Sequence, residues 1–325
     1  MPRITILMPV YNGMPYIPEA VESVLAQDEQ DWELVISDNG STDATRAYLS
    51  TLQDPRIRIH LQQDNLGIYG NLNFLLAQAQ ASIAKILCAD DKLLPGALAR
   101  IAVFMEAKPR CAVSRCWRQG DKILTLPGQR GEEEGRLPVS LKPDAAFLAY
   151  LTFGNPVGGL SQATCRPAMV QACGGFDQNY PCSGDREAWA RVAACYGLEL
   201  QNEELIFERE HPLQARKVLN KKNENFPQTV RILSAWGQLV SEDNRALVKR
   251  HWTIHFLAQH LPALARQAVA GEYGLARAGL SNLPLGISPI AVIAAYPVLK
   301  FNLPPARAIT RKLFARILEI NGSQS

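Results

Sequence analysis

The first hundred residues alternate short apolar runs with longer amphipathic stretches. The run over residues 4–10 is apolar almost throughout and stops at Tyr11-Asn12-Gly13, as expected for a buried strand that ends in a turn. The next stretch places Ile17 and Val21 on one face of a helix. The same criteria predict strands over 32–37, 57–61 and 85–88, and helices over 43–52, 71–79 and 96–105. Strands that alternate with helices predict βαβ units and a parallel sheet, hence an α/β fold.

Polar side chains follow these predicted strands where each one ends. The clusters are Tyr11-Asn12, Asp38-Asn39, Asn65 and Asp90-Asp91. In a parallel sheet the carboxyl ends of the strands share one edge, and ligands bind beyond that edge. Together, the clusters predict a ligand site there.

The pattern changes in the middle of the chain. Residues 112–118 and 122–126 predict a hairpin, 128–143 a polar loop, 185–196 a helix and 204–209 a short strand. From residue 226 onward the pattern is helical, with few strand signals. We therefore predict a first domain at 1–215 and a helical region at 216–325.

Composition narrows the class of protein. Apolar residues make up 47% of the chain and charged residues 20%, which fits a globular protein. The net charge is only +3, whereas a bulk binder of nucleic acid is usually more basic, so we expect no nucleic-acid partner.

The cysteines and the termini suggest a location. Seven cysteines without a C-x-x-C pair argue against a disulfide framework and a structural zinc site. The N-terminus lacks a signal-peptide pattern, and the sequence holds no run of 18 apolar residues. The expectation is a cytoplasmic protein.

The adjacent carboxylates Asp90 and Asp91 are candidate metal ligands. Two carboxylates about 4 Å apart repel by roughly 1–4 kcal/mol, and a divalent cation turns that repulsion into attraction. The pair could equally cap the helix that follows Pro95. Neighbours at a strand end point to opposite sides. We therefore expect one Asp to face the metal and the other to face the sugar or the helix, with Cys88 and Asp90 pointing the same way.

Other candidates each have two interpretations. Asp38 or Asn39 could contact a nucleobase, or the segment could form an Asx turn and a helix cap. Asp185 could be a general base or a helix cap. His211 could contact a metal or phosphate, or be structural. His251 and His255 lack a carboxylate at ligand spacing, so a metal site there is not expected.

Six segments, taken together and in this order, resemble the family 2 nucleotide-sugar glycosyltransferases, which are inverting enzymes of the GT-A fold. The resemblance covers roughly residues 3–215. The segments are ITILMPVYNG near the start, SDNGSTD at 37–43, DNLGIYGN at 64–71, CADDKLLPGAL at 88–98, GNPVGG at 154–159 and GGFDQNYPCSGDREAW at 174–189. The implied fold is a Rossmann-like, mostly parallel sheet flanked by helices, with the C-terminal helical region appended.

The resemblance also implies roles for single residues. Asp90 would bind Mg²⁺ or Mn²⁺ bridging the diphosphate, with His211 beside it, and Asp185 would deprotonate an acceptor hydroxyl. The implied donor-binding residues are Pro9, Val10, Tyr11, Asn12, Asp38, Asn39, Asn65, Gly67, Asn71 and Asp91.

Three positions depart from the family pattern. Cys88 stands where an Asp-x-Asp metal motif has its first carboxylate, which leaves less charge for a metal. Gly184 stands where a Glu often precedes the base. Asn39 stands where many members have Asp.

In the C-terminal segment 306–318, basic and apolar residues alternate at the spacing of an amphipathic helix, so that they would lie on different faces. This pattern suits an anionic membrane surface. The alternative is a helix docked on the protein with a solvated basic face.

The function predicted from these features is sugar transfer from a nucleotide-diphosphate sugar to a hydroxyl of a glycan or lipid-linked acceptor, in cell-surface polysaccharide synthesis. One alternative is a sugar-nucleotide nucleotidyltransferase. Such enzymes carry a Gly-rich basic loop after the first strand, where this chain has residues 9–13. The other alternative is a non-catalytic, membrane-associated scaffold of the same fold.

Overall fold

The computed structural model describes residues 1–120, 139–212, 214, 225–269, 271, 283–300 and 303–322. The chain divides into two compact units. Unit 1 comprises Met1–Lys122, Pro138–Phe147 and Asn155–Glu210, and unit 2 comprises Ile123–Leu137, Leu148–Gly154 and His211–Ser325. The proposed domain boundary at 215/216 stays a prediction.

Four parallel strands form the first half of the sheet in unit 1. They are β1 (Ile4–Val10), β2 (Trp32–Asp38), β3 (Ile57–Leu61) and β4 (Ala84–Ile86), in the spatial order β3-β2-β1-β4. β1 and β2 are apolar along most of their length because helices cover both faces of a parallel sheet. The pairing of Val10 with Asp38 brings the ends of these two strands together.

The remaining strands continue the sheet in mixed orientation. They are β5 (Lys92–Leu93), β6 (Val113–Arg118), β7 (Ser140–Leu141), β8 (Ala163–Cys165) and β9 (Leu198–Phe207). Beyond β4 the order is β8-β6-β9-β5, and β7 pairs with β9. β8 is antiparallel to both β4 and β6, whereas β6 and β9 are parallel.

Helices connect the strands as the alternating pattern requires. They are α1 (Ile17–Leu25), α2 (Thr45–Leu49), α3 (Gly67–Gln78), α4 (Ala97–Glu106), α5 (Pro143–Phe153), α6 (Pro167–Ala172) and α7 (Gly184–Tyr196). The buried face of α1, which includes Ile17, Val21 and Val24, packs in one core with Ile6 and Met8 of β1.

Several predicted elements differ from the structure. The strand predicted at 204–209 is the end of β9, and the helix predicted over 71–79 begins at Gly67. The fourth strand ends at Ile86 rather than at residue 88, because the chain turns there. The second helix is shorter than 43–52, and Asp43 precedes it while accepting a hydrogen bond from the Thr45 backbone N–H. The predicted hairpin partner at 122–126 lies outside the described residues, and β6 instead lies between β8 and β9.

Unit 2 is helical where the structure describes it. Its further helices are α8 (Asn225–Leu239), α9 (Glu242–His251), α10 (Leu261–Val269), α11 (Pro289–Lys300) and α12 (Pro304–Gly322). A π-helical stretch, Trp252–Leu257, follows α9. Within the described ranges, each helix is too short or too polar to cross a bilayer.

Helix α12 contains the basic segment 306–318, and its apolar side is buried in unit 2. Ile309, Leu313 and Ile317 are at most 3% exposed, while Arg307 and Arg311 face solvent. Of the two interpretations of this segment, the docked helix with a solvated basic face describes the structure. Insertion of the apolar side of α12 into a bilayer is therefore ruled out for this conformation.

Two stacked histidines of unit 2, the buried His251 and the half-buried His255, contact α5 and α12, respectively. His251 Nε2 hydrogen-bonds to the Thr152 carbonyl oxygen at 2.8 Å. The His255 ring stacks on His251 at 4.5 Å, and its Nε2 lies 3.2 Å from the Ala306 carbonyl oxygen. Burial lowers the pKa of both rings, that of His251 to about 3.

The first prediction is acid lability of unit 2. The pKa of His251 is lower in the folded protein than in the unfolded chain, so unfolding takes up a proton as the pH falls below about 6.5. The contribution of His251 to the free energy of unfolding is fully present above that pH. It decreases toward pH 3 by at most about 4–5 kcal/mol. His251→Gln keeps a donor for Thr152 and should reduce proton uptake on unfolding by about one between pH 4 and 6.

Urea unfolding followed at several pH values measures this uptake. His60→Gln, in β3 of unit 1, removes a half-buried ring whose pKa burial also lowers, and serves as the comparison for removing a histidine outside unit 2. An identical pH slope in wild type and His251→Gln would contradict the assignment.

Candidate active site

The loops that follow β1 and β2 are hydrogen-bonded to each other. Asn12 adopts a left-handed backbone with φ 51°, and its side-chain oxygen accepts from the Thr42 backbone N–H at 2.8 Å. The Asn12 backbone N–H donates to Ser41 Oγ, and that of Gly13 to Thr45 Oγ1, both at 2.8 Å. Asn tolerates this backbone conformation better than most residues. Asn12 therefore shapes the loop, with its own amide oxygen occupied.

Asp38 and Asn39 are buried and engaged with the protein. The Asp38 carboxylate accepts from Arg46 Nε at 2.6 Å and from the Ser41 backbone N–H at 3.3 Å, with no exposed surface. The Asn39 amide nitrogen donates to Asn65 Oδ1 at 2.9 Å, and its oxygen accepts from the Leu66 backbone N–H at 2.8 Å. Both side chains hold neighbouring loops, and a nucleobase contact by either remains a prediction.

The start of α3 is fixed by the other polar residues predicted for the donor. Gly67 has φ 72°, a conformation that favours glycine, and its backbone N–H donates to Asn65 Oδ1 at 2.8 Å. Asn71 is 1% exposed and donates to the Ser37 carbonyl oxygen at 3.0 Å. These contacts attach α3 to the end of β2.

The end of β1 presents one large exposed side chain. Tyr11 is 52% exposed, whereas Pro9 is half-buried and Val10 is buried. Gly13 is required nearby because a Cβ there would lie 2.6 Å from a methyl carbon of Val10 and 3.6 Å from Cβ of Ala89. The loop after β1 is thus close to the turn after β4, and Tyr11 offers an aromatic face for a base.

Three potential metal ligands converge in the turn after β4. Ligand atoms of Cys88, Asp90 and Asp91 all lie within 4.8 Å of one another. The expectation that Asp90 and Asp91 point to opposite sides is wrong. The strand has already ended, and the Asp91 backbone N–H donates to the Cys88 carbonyl oxygen at 3.1 Å, which closes a tight turn.

Two residues from other segments hold this acidic turn. Ser161 Oγ accepts from the Cys88 backbone N–H at 2.9 Å and also hydrogen-bonds to the Asp91 carboxylate. The Arg209 backbone N–H donates to Asp91 Oδ1 at 3.0 Å, and its guanidinium donates to the Asp90 carbonyl oxygen at 3.2 Å. Ser161 and the Arg209 backbone thus hold the Asp91 carboxylate, while the Arg209 guanidinium contacts the backbone of the turn.

Burial and mutual repulsion dominate the electrostatics of the turn. Burial raises the pKa of Asp91 to about 7, and the nearby charge of Asp90 adds to the effect. Burial likewise raises the pKa of the Cys88 thiol well above its usual range, with contributions from both carboxylates. The thiol is therefore neutral at pH 7, and the turn supplies at most two negative charges.

This donor set fits a divalent cation. The buried Asp91 carboxyl, with its raised pKa, lies beside the Asp90 carboxylate, and a cation would neutralise the pair. Carboxylate oxygens suit Mg²⁺ and Mn²⁺. Asp90 and Asp91 would hold the cation, with Cys88 Sγ adjacent as a neutral third group. The structure thus groups Asp91 with the metal candidates, in addition to its predicted place beside the sugar.

Asp185 lies at the start of α7 and accepts hydrogen bonds on both carboxylate oxygens. The Tyr69 hydroxyl donates to Oδ1 at 3.1 Å, and Asn155 Nδ2 donates to Oδ2 at 3.2 Å. Burial raises the pKa of this carboxyl, opposed by hydrogen bonds from the Arg186 backbone N–H and from Tyr69. A carboxylate with a raised pKa is a better proton acceptor than a solvated one.

One segment of unit 1 links the acidic turn to Asp185. Residues 155–161 begin at Asn155, which donates to Asp185, and end at Ser161, which contacts Cys88 and Asp91. Gly158 has φ 82°, and a Cβ there would lie 2.2 Å from Gln162 Oε1. Residues 155–161 therefore contact both acidic sites, Asp185 at one end and the Cys88–Asp91 turn at the other.

His211 belongs to unit 2, where it is half-buried at the start of that unit's last segment. Its contact with a metal or diphosphate stays a prediction.

Four residues that contact the candidate site were not assigned from the sequence. They are Tyr69, Asn155, Ser161 and Arg209. Tyr69 and Asn155 lie inside the segments DNLGIYGN and GNPVGG, and membership of these segments is the sequence feature that marks them as candidates. Ser161 and Arg209 act through contacts between distant parts of the chain, which periodicity does not encode.

The chain belongs to Glycosyl transferase family 2, whose pattern matches residues 5–156. It is 33% identical over 198 residues to WcaA of Escherichia coli K12, a protein named as a colanic acid biosynthesis glycosyl transferase. That match covers 60% of this chain and 68% of the relative. The predicted family is confirmed.

Other comparisons bear on the fold and on relatives of different length. A Campylobacter jejuni GalNAc(5)-diNAcBac-PP-undecaprenol beta-1,3-glucosyltransferase is 36% identical over 104 residues, or 31% of this chain. The chain spans about a third, 34%, of that relative's length. The mannosyltransferase PcManGT of Pyrobaculum calidifontis, solved with GDP-Man and Mn²⁺, has a TM-score of 0.57 at 17% identity over 100% of this chain and 88% of its own. The predicted GT-A-type α/β fold class is confirmed.

The second prediction concerns the metal ligands of the acidic turn. With a nucleoside diphosphate present, Asp90→Ala should abolish Mn²⁺ binding, and Cys88→Ala should change the Kd less than about threefold because the thiol is neutral. Cys88→Asp adds a carboxylate and should tighten Mn²⁺ by about tenfold, equivalent to roughly 1.4 kcal/mol. Electron paramagnetic resonance of free Mn²⁺ measures each Kd.

Thermal unfolding in chelator controls for damage to the turn by each substitution. Equal losses of Mn²⁺ in Cys88→Ala and Asp90→Ala would show that sulfur is a principal ligand, against this assignment.

Proposed function

We propose that this protein is an inverting glycosyltransferase. It moves a sugar from a nucleotide-diphosphate sugar to a hydroxyl of a glycan or lipid-linked acceptor during cell-surface polysaccharide synthesis. The observation that supports this most is the linkage of a cation-competent acidic turn to a buried, proton-accepting Asp185 through residues 155–161. Family membership supports the same class of reaction.

The leaving group sets the requirement at the acidic turn. Departure of a nucleoside diphosphate develops negative charge, and a bound Mg²⁺ or Mn²⁺ would supply Lewis-acid neutralisation of that charge. Asp90 and Asp91 would hold the cation, and Tyr11 would face the base from the end of β1. With only two carboxylates in the turn, the diphosphate itself must provide much of the cation's coordination.

The acceptor sets the requirement at Asp185. A hydroxyl that attacks the anomeric carbon must lose its proton, and Asp185 would accept it. Attack on the face opposite the leaving group is a single displacement, which inverts the anomeric centre. This mechanism needs no covalent nucleophile on the protein.

The class of acceptor is drawn from relatives. The C. jejuni protein is named for action on an undecaprenol-linked glycan, and WcaA for colanic acid biosynthesis. The first name specifies a glycan linked to undecaprenol and the second a biosynthetic glycosyl transfer, and by analogy we assign this chain a glycan or lipid-linked acceptor.

The third prediction tests Asp185 as the base. Asp185→Asn retains two polar side-chain atoms for Tyr69 and Asn155 but cannot accept the proton, so turnover should fall by about 10²–10⁴-fold. Donor affinity should stay within a few-fold of wild type, because the metal and nucleotide groups are intact. Donor hydrolysis and acceptor transfer with purified protein measure turnover, and thermal shift with nucleotide sugars measures donor binding.

Asp177→Asn is the matched control, because Asp177 is a half-buried carboxylate in the loop before α7 that bonds to the Asn179 backbone. Wild-type turnover in Asp185→Asn, or an equal loss of donor affinity, would rule out the assignment. A protein that binds no nucleotide sugar would instead favour a scaffold.

We further propose that the protein acts at the cytoplasmic face of the membrane through unit 2. The basic side of α12 presents Arg307, Arg311 and Lys312 to solvent, and α11 exposes Ile290 and Ile293 at 78% and 59%. Exposed cations beside exposed apolar side chains suit an anionic lipid surface. Such contact would bring a lipid-linked acceptor to the enzyme.

The fourth prediction is loss of membrane binding on charge reversal. Each cation near an anionic surface contributes about 1 kcal/mol, so changing Arg307, Arg311 and Lys312 together to Glu should release the protein from phosphatidylserine vesicles at low salt. Co-sedimentation measures binding, and vesicles of neutral lipid are the control. Binding that persists in this variant, or fails in wild type, would contradict the proposed surface.

A further inference from the structure

We propose that Tyr69 and Asn155 are positioning residues that hold the Asp185 carboxylate in one orientation, and that Gly184 is present because only glycine leaves space for the Tyr69 ring. This inference rests on the proposed function, in which Asp185 is the base. It assigns a purpose to the departure of Gly184 from the family pattern.

The two hydrogen bonds come from different segments and reach different oxygens. Tyr69 Oη, on α3, donates to Oδ1 at 3.1 Å, and Asn155 Nδ2 donates to Oδ2 at 3.2 Å. Asn155 Nδ2 also donates to the Gly158 carbonyl oxygen at 2.8 Å, which fixes the amide. Donors on both oxygens restrict rotation of the carboxylate about its terminal bond, so the plane that would receive the proton is defined before substrate binds.

The Tyr69 hydroxyl is itself held by aromatic packing. The ring is 5% exposed and stacks on Phe176 at 5.7 Å with an interplanar angle of 20°. Phe176 meets Trp189 edge-on at 5.1 Å, and Trp189 lies on α7 four residues after Asp185. The three rings therefore tie α3 to the helix that carries the base.

Gly184 meets the face of the same ring. A Cβ at this position would lie 2.7 Å from Cδ2 and Cε2 of Tyr69 and 3.0 Å from Cζ. Gly184 does not have a positive φ, so the requirement is for space and not for backbone conformation. The Tyr69 ring thus occupies the position toward which a side chain at residue 184 would project.

This arrangement places two neutral donors, Tyr69 and Asn155, and the cation Arg186 next to the base instead of a second carboxylate. The groups that face Asp185 from the described elements are Tyr69 of α3, Asn155 of the linking segment and Arg186 of its own helix. A hydrogen bond donated to the charged form favours that form. Loss of the Tyr69 hydroxyl should therefore make Asp185 harder to ionise, against a background in which burial already raises its pKa.

The fifth prediction follows from the hydroxyl. Tyr69→Phe keeps the ring and its packing, so the fold and the KM for donor should be unchanged. The acid limb of the kcat–pH profile should move upward by about 0.5–1 pH unit, so that kcat on that limb is lowered about 3–10-fold. Tyr48→Phe, which removes a half-buried hydroxyl from α2, is the matched control and should leave the limb in place.

A purely structural role would lower kcat by the same factor at every pH. An unmoved acid limb in Tyr69→Phe, while Asp185→Asn is inactive, would overturn the positioning role and leave the base assignment standing. Activity in Asp185→Asn would instead overturn the proposed function.

A stability measurement tests the Gly184 contact without any activity. Gly184→Ala should lower the Tm in the wild-type background, because its Cβ collides with the Tyr69 ring. In a Tyr69→Ala background the same change should cost much less, so the double mutant should be more stable than the sum of the single effects predicts. Additive losses of stability would show that Gly184 does not accommodate Tyr69 and would overturn that part of the inference.

Discussion

Carboxylates withdrawn from water at the carboxyl edge of the sheet are the main constraint on unit 1. A buried carboxylate is costly unless hydrogen bonds or a cation offset its lost hydration. For Asp38, hydrogen bonds from Arg46 and from the backbone of its own loop offset the cost of burial. For Asp185, hydrogen bonds from Tyr69 and Asn155 do so. In the acidic turn, Ser161 and the Arg209 backbone N–H hydrogen-bond to the Asp91 carboxylate, and the ligand atoms of Asp90 and Asp91 lie within 4.8 Å of each other. A cation bound there would replace the repulsion between the two carboxylates by attraction.

The segment that joins the acidic sites is anchored to the sheet by a buried cation. Lys85 lies in β4, is fully buried, and donates to the carbonyl oxygens of Ser161 and Ala163. This places a positive charge beneath the linking segment, where apolar side chains would leave those carbonyl groups unpaired. The sheet therefore positions Ser161 through Lys85, and Ser161 positions the Cys88–Asp91 turn. The order of the strands thus determines where the candidate metal ligands lie.

Departures from the family pattern are structurally compensated in different ways. Gly184 is matched by the Tyr69 ring, and Asn39 uses both ends of its amide to hold the start of α3. Among the described residues, the cluster around Cys88 contains no further carboxylate that would replace the one missing at this position. Burial keeps the Cys88 thiol neutral. In the proposed reaction, the missing carboxylate would leave part of the coordination of the cation to the nucleotide, so cation binding would depend on donor binding.

The sequence alone determined the alternation of strands and helices, the edge of the sheet at which polar residues meet, and the family, because periodicity and short motifs are local properties. It also placed Asp90 and Asp185 in candidate roles. Tertiary structure decided what periodicity does not encode. The chain turns after Ile86, so Asp90 and Asp91 face one point instead of two sides. The apolar side of α12 is buried by packing within unit 2, although its sequence equally suits a lipid surface. Tyr69 reaches Asp185 across 116 positions of sequence, since hydrogen bonding and steric fit depend on distance in space and not along the chain.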